Sequence, residues 1–298
     1  FPKKIKKSKT IIVRQSSSNH FKGWNDVMTD IAKNFSISDR KYFAGMIDGD
    51  GTFNLHERKK RSKPVLRIGL ELRHDHAEPL IKLAELFDLT ISKFFRLDQK
   101  NTQPSLKIEL CGVKAKLFLF SIYPYLLEKK DRAKEILKKL ECPKKYLSNK
   151  KQFSFEYLAG YTDAEGSVQF NLRHEKTKIG NITSCYRMSY MLTSNDNAHL
   201  QFIKQRLIDR GFDHFRKDYV ATYKNVEKRE GRNPETWKNT THIQLGGSPN
   251  QLSNFYKNIE PFMLIKHKKD NMNNTIMYDR IITSNKKFHE MKARKKTV

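Results

Sequence analysis

Two stretches of the chain read alike: YFAGMIDGDGTFNLHER at Tyr42–Arg58 and YLAGYTDAEGSVQFNLR at Tyr157–Arg173, an offset of 115 (157 − 42). Tyr, Ala, Gly, Asp, Gly and Arg recur in register, and Asp50 is matched by Glu165. Asp39 and Ser154 each stand three residues before the repeated tyrosine, and both residue types make good helix N-caps. Each copy therefore predicts a capped helix that ends at a glycine, Gly51 or Gly166. Beyond the glycine the period changes to two. Phe53 and Leu55 fall on one face and Asn54, His56 and Arg58 on the other; Val168, Phe170 and Leu172 oppose Ser167, Gln169, Asn171 and Arg173.

The likeness continues outward. Leu66, Ile68, Leu70 and Leu72 alternate with Arg67, Gly69, Glu71 and Arg73; Tyr186, Met188, Tyr190 and Leu192 alternate with Arg187, Ser189 and Met191. One apolar and one polar face per strand predicts antiparallel sheets, each covered on one side only. A helix follows in each half, one behind an Asp75/Glu78 capping box and one behind Asp196. Strands are expected at 93–97 and 105–110, then at 215–223 and 241–246. Apolar helices at 112–123 and 248–259 close on Tyr-Pro-Tyr-Leu and Glu-Pro-Phe-Met, and a basic helix completes each half. The fold class is α+β: two α-β-β-α-β-β-α repeats with pseudo-symmetry, each followed by one more helix. Pro124 and Pro261 are 137 apart (261 − 124) rather than 115, so the second half is longer, mostly between Phe212 and Thr241. Domains are expected at 38–140 and 154–283, joined by a linker at 141–153, with a basic extension at 1–37 and a basic tail at 284–298.

Composition narrows the partners. The 59 Lys and Arg against 32 Asp and Glu in 298 residues leave a formal charge of +27, spread along the whole chain. Such a charge repels itself unless something acidic binds, and nucleic acid is the leading candidate. Leu117–Leu127, the longest uncharged apolar run, is about half the roughly 20 residues that cross a bilayer. The opening FPKKIKKSKTIIVRQSSS lacks the apolar block of a secretory signal. A soluble protein is expected, without membrane partners. Cys111, Cys142 and Cys185 are too scattered for a zinc site and fit a reducing compartment. Asp48-Gly-Asp50-Gly-Thr52 is no EF-hand, because Phe53 stands where that loop needs glycine and a strand follows.

FAGMIDGDG (43–51) and LAGYTDAEG (158–166) resemble the two signature motifs of the single-chain LAGLIDADG homing endonucleases, and the resemblance covers roughly residues 38–283. It implies motif helices packed together at the centre and sheets forming a saddle in the DNA major groove. It further implies a monomer that cuts both strands of a long, nearly palindromic double-stranded site with a divalent metal. Asp50 and Glu165 would hold the metal, helped by the carbonyls of Gly49 and Ala164. Mg²⁺ is the expected ion, Mn²⁺ an acceptable substitute, and Ca²⁺ should support binding without cleavage. A basic residue near each scissile phosphate is expected at Lys129 and Lys266, both five residues past a proline, with Lys130 or Lys268 as alternatives. The family is typically intron-encoded, often in chloroplasts or mitochondria.

The residues agree with this on physical grounds. Gly45 and Gly49, like Gly160 and Ala164, put small side chains four apart on one helical face, where two backbones can approach closely. Two helix C-termini brought together favour a cation, and carboxylates there are hard oxygen ligands. Either acid alone would read as an ordinary helix-end residue; their matched placement favours catalysis, while Asp48 and Asp163 read as structural. The polar strand faces carry the side chains that read base edges: Asn54, His56, Arg58, Arg67, Glu71, Arg73 and Lys107 in the first half. In the second they are Ser167, Gln169, Asn171, Arg173, Arg187, Ser189 and Gln244. Rival readings are an RNA-binding maturase acting on its host intron RNA, and a DNA-binding module that has lost its chemistry. Retention of both acids and both lysines favours the enzyme.

Overall fold

The computed structural model describes residues 35–56, 64–94, 104–176, 182–216, 219–221 and 240–296. Arg58, Trp24, Trp237 and most of the insertion after Phe212 lie outside these residues, as do the side chains of Arg173 and Cys185.

Both repeats are present. In the first, helix α1 (Ile37–Asp50) leads into β1 (Gly51–His56), β2 (Val65–Arg73), α2 (Glu78–Phe87), β3 (Ser92–Phe94), β4 (Ser105–Cys111), α3 (Gly112–Ile122) and α4 (Lys130–Lys139). The second runs α5 (Phe155–Glu165), β5 (Gly166–Lys176), β6 (Ile182–Ser194), α6 (Asn197–Ile208), β7 (Tyr219–Ala221), β8 (Thr240–Leu245), α7 (Pro249–Ile259) and α8 (Lys266–Lys296). Each four-stranded sheet is antiparallel with equivalent order, β1-β2-β4-β3 and β5-β6-β8-β7. The alternation sets the register: Phe53 opposite Ile68 points inward and Asn54 opposite Arg67 points outward. Leu66, Ile68, Leu70, Ile108 and Leu110 are fully buried under the first sheet, above a cluster of Phe35, Phe43, Phe87 and Phe118. Leu192, Ile243, Leu245, Leu200 and Ile203 fill the second core with Tyr190 and Phe255, whose rings meet at 4.7 Å.

Several local expectations are corrected. Ser36 rather than Asp39 caps α1: its hydroxyl accepts from the Asp39 amide at 3.1 Å, and Asp39 sits inside the first turn, tied to Lys82. Ser154 does cap its helix, accepting from the Tyr157 amide at 3.2 Å. Asp75 caps nothing; it lies in a 3-10 turn and binds Arg73, while α2 starts after Ala77 with Pro79 in its first turn. Gly51 is not left-handed (φ −78°) but already extended. Its glycine answers crowding instead, since a Cβ there would lie 2.7 Å from the Ile47 carbonyl oxygen. In the first repeat it is Gly112 (φ +60°) that is left-handed among the described glycines, and it turns β4 into α3.

The chain divides into two compact units, one through Ala164 and one from Glu165. Nearly all of α5 thus belongs to the first unit, as does the 141–153 segment. That segment packs through Cys142 and Leu147, and the Ser148 carbonyl accepts from the Tyr123 hydroxyl at 3.0 Å. Burial pushes the Cys142 thiol up to about 11, the behaviour of an inert core thiol. Among the described residues no helix is long and apolar enough to cross a membrane.

Candidate functional site

The two motif helices touch backbone to backbone. A Cβ added at Gly45 would sit 2.0 Å from the Tyr157 carbonyl oxygen, and one at Gly160 would sit 1.9 Å from that of Tyr42. Only glycine permits that approach. Tyrosines cross the contact reciprocally: Tyr42 donates to Asp163 Oδ2 at 2.6 Å, and Tyr157 donates to Asp48 Oδ2 at 2.7 Å. Burial, and then the adjacent carboxylate, raises both phenols well above their usual range, so they remain donors. At the rim Lys41 pairs with Glu156 at 3.1 Å. At the 115-residue offset Tyr157–Asp48 is thus the counterpart of Tyr42–Asp163, and Lys41 meets its own counterpart Glu156, as a pseudo-two-fold arrangement of the motif helices requires. The repeated tyrosines and first aspartates were visible in the sequence; their pairing with each other was not.

Asp48 is buried and fully employed. Besides Tyr157 it accepts backbone amides from Leu127 at 2.7 Å, Glu128 at 3.1 Å and Lys129 at 2.8 Å. The motif's first acid thus holds the segment that carries the candidate lysine. Lys129 in turn sends Nζ to the carbonyls of Ile47 (2.8 Å), Gly49 (2.9 Å) and Gly51 (2.8 Å), the first two in the last turn of α1 and the third just past its end. An ammonium is favourable where these partial negative charges gather. Lys129 therefore stands at the helix end that bears Asp50, whose carboxylate is half-buried. The Gly49 carbonyl, expected as a metal ligand, already accepts from Lys129.

Lys130 turns elsewhere. It is buried, donates to the carbonyls of Pro124 (2.9 Å) and Lys150 (2.8 Å), and lies 5.1 Å from the centre of the Tyr123 ring. Burial lowers it to about 8. In the second unit Lys266 is exposed and pairs with Asp270 at 3.5 Å. Lys268, on the same helix, is buried. Glu165 is the last residue of α5 and half-buried, as Asp50 is on α1.

The polar sheet faces differ from each other. On the first, Arg67 lies 3.4 Å from Glu109, Lys107 lies 3.9 Å from the same carboxylate, and Ser105 donates to Glu71 at 2.7 Å. Glu109 was missed by the sequence reading, although the register places it opposite Gly69 on the face that carries Arg67. Asn54 and His56 are exposed there, while Arg73 is drawn to Asp75 by contacts of 2.7 and 3.1 Å. On the second face Asn171 is exposed and Gln169, Arg187 and Gln244 are partly so. Ser189 is corrected: it is buried and donates to Gln169 Oε1 at 3.2 Å, so it orients Gln169 instead of reaching solvent. Thr193 meets His242 Nδ1 at 3.0 Å on the same sheet.

No protein-family model and no curated protein matches the chain. Solved structures do. The LAGLIDADG homing endonuclease I-GzeII in complex with a DNA target superposes with a TM-score of 0.53 at 13% identity, over 83% of this chain and 91% of that one. Meganuclease I-SmaMI, bound to uncleaveable DNA with a TTCT central four, gives 0.52 at 13% identity, over 84% and 93%. The LAGLIDADG meganuclease I-AabMI, bound to uncleaved DNA, gives 0.51 at 13%, over 83% and 92%. With both repeats, both glycine-joined motif helices and both sheets in place, the fold of this chain is that of the LAGLIDADG homing endonucleases.

Proposed function

We propose that this protein is a monomeric, site-specific homing endonuclease that hydrolyses phosphodiesters in both strands of a long, pseudo-palindromic DNA site. The observation that carries the proposal is the motif-helix pair. Two helices joined at Gly45 and Gly160 each end on an acid, and on the first of them Lys129 is held at the same helix end. The superposed structures contain DNA, and a charge of +27 suits a polyanion. The half-exposed polar faces of the two sheets each supply a base-reading surface for the major groove.

Among the described residues no three His, Cys, Asp or Glu side chains form a metal cluster. The donors present at the first helix end are the Asp50 carboxylate and main-chain carbonyls. That all-oxygen set fits Mg²⁺, which keeps water and takes one or two carboxylates together with substrate phosphate oxygens. Such an ion supplies Lewis acidity toward the scissile phosphate. Asp50 and Glu165, each at its own helix end, would hold such ions, and Lys129 keeps the carbonyls at the end of α1 in place and sets a positive charge beside them. Mn²⁺ should substitute, and Ca²⁺ should allow binding without cutting.

The test is a supercoiled plasmid library bearing candidate sites, incubated with Mg²⁺, Ca²⁺ or EDTA and scored for linear product. Linearisation in Mg²⁺ alone is expected. Sequence-specific DNA retention with no product in Mg²⁺ or Mn²⁺ would indicate a binding module. Stimulated splicing of an intron RNA without DNA cutting would indicate a maturase.

A further inference from the structure

The segment that carries Lys129 is held from two helices, and one of them is the motif helix of the other repeat. From α1, Asp48 accepts the amides of Leu127, Glu128 and Lys129. From α5, Tyr157 donates to that same carboxylate at 2.7 Å, and one turn further on Tyr161 donates to Glu128 Oε2 at 3.2 Å. The two tyrosine rings lie 12° from parallel with centroids 6.2 Å apart, and both are fully buried. A ring packed in this way has no room to change rotamer, so its hydroxyl marks a fixed point. A carboxylate that accepts from it is fixed in turn. Glu128 directly precedes Lys129, so the place of its main chain sets where the lysine starts its reach to the end of α1.

The second repeat does not have the residues to copy this. The turns at Tyr123–Tyr125 and Glu260–Phe262 close alike, the Leu126 amide on the Tyr123 carbonyl at 3.3 Å and the Met263 amide on the Glu260 carbonyl at 3.1 Å. That offset of 137 (263 − 126) sets Glu128 against Ile265 and Lys129 against Lys266. At the motif offset of 115 (161 − 46), Tyr161 stands against Met46. Met46 and Ile265 are fully buried, and neither side chain has an O–H or N–H to donate. The two lysines differ accordingly. Lys129 is half-buried with Nζ on three carbonyls, whereas the Lys266 side chain is 81% exposed and pairs with Asp270 at 3.5 Å.

Resting on the endonuclease reading above, we infer that Tyr161 and Glu128 are positioning residues for the first cleavage site, acting through Lys129. A tyrosine on the motif helix of the second repeat thus sets the lysine at the end of the first motif helix. Met46 and Ile265 give Lys266 no equivalent hydrogen bond, so the control runs one way and bears on one DNA strand.

The experiment times each strand separately in Mg²⁺, on a duplex that carries a cleavable site and a different dye on each strand. Lys129→Ala and Lys266→Ala first identify the strand that each lysine serves. Tyr161→Phe removes one hydroxyl, and Glu128→Ile copies the second repeat. Each should slow the Lys129 strand about 10- to 100-fold and leave the other strand at its wild-type rate. Glu128→Gln keeps an oxygen that accepts from Tyr161 and should recover most of that loss. Because the effect runs through Lys129, Tyr161→Phe should cost little more when added to Lys129→Ala. Thermal unfolding and affinity in Ca²⁺ check that each variant folds and binds; should Glu128→Ile not fold, Tyr161→Phe carries the test. Equal slowing of both strands, an undiminished cost in the Lys129→Ala background, or no change on either strand would overturn the inference and leave a working endonuclease. If the wild type cuts neither strand of any site, the endonuclease reading itself fails and the inference falls with it.

Discussion

Asp48 and Asp50 stand two residues apart on one helix, the first buried under four hydrogen bonds and the second half-exposed at the helix end. Their substitutions should separate cleanly. Asp50→Asn keeps shape and removes an anionic ligand, so cleavage should fall on the order of 10²-fold or more while affinity in Ca²⁺ and thermal stability stay near wild type. Glu165→Gln should behave alike, and since Glu reaches one methylene further than Asp, the two strands should be cut at unequal rates. Plasmid assays that score nicked and linear forms check both; a variant that linearises DNA as fast as wild type removes that acid from the site. Asp48→Ala instead strands three amides and a tyrosine hydroxyl, which should cost about 3 kcal/mol or more in urea unfolding. The sequence made the division between the two acids readable, because both recur at the same offset. It could not show that Lys129 serves the carbonyls of Ile47, Gly49 and Gly51, because that depends on a segment folded back from about eighty residues away. Lys130 carries a pH prediction. Burial holds it near 8 in the fold, below the roughly 10.4 of an unfolded lysine. Between those values the unfolded chain binds the extra proton, so this group's contribution to stability should rise with pH from about 8 to about 10. The stability difference between wild type and Lys130→Met should therefore move in wild type's favour across that window; a difference that does not change with pH would show that Lys130 titrates normally.

At the scale of elements, what decides the architecture is the helix pair rather than either sheet. Gly45→Ala or Gly160→Ala places a methyl about 2 Å from a main-chain oxygen of the facing helix, and a rigid backbone cannot yield that much. Each should cost several kcal/mol, at or beyond the upper end of overpacking penalties, and chemical denaturation measures it. Gly112→Ala is the control: nothing lies within 4 Å of its Cβ position, so it should lose only about 1–2 kcal/mol for its left-handed backbone. Comparable losses at all three glycines would mean that close helix approach is not what Gly45 and Gly160 provide. Strand pairing and helix order were legible because the hydrophobic period switches cleanly from helix to strand at Gly51 and Gly166. The caps were less so. Asp39 and Asp75 have the right chemistry, but Ser36 lies earlier on the chain and Arg73 competes for Asp75, and neither fact has a periodic signal.

For the whole molecule the controlling quantity is charge. A net +27 over 298 residues is held together without an acidic partner only at a cost in self-repulsion, which a DNA duplex relieves. Each phosphate neutralised releases condensed counterions, so log affinity should fall linearly with log salt, with a slope of roughly −0.9 per contact. For a surface making about 6–10 phosphate contacts, the loss between 50 and 200 mM salt is about 10³- to 10⁵-fold. The sheet faces and the basic segments should contribute differently to that line. On the proposed reading Arg67→Ala removes a base-reading side chain, so it should cost discrimination at a few base pairs; neutralising lysines outside the sheets should weaken specific and random DNA alike and flatten the salt slope. Titrating a selected site and a scrambled duplex across that salt range, for wild type and both kinds of variant, separates the two. If Arg67→Ala weakened both duplexes equally and left their ratio unchanged, the strand faces would be phosphate-binding surface only. The sequence reader would then have to be sought elsewhere on the chain.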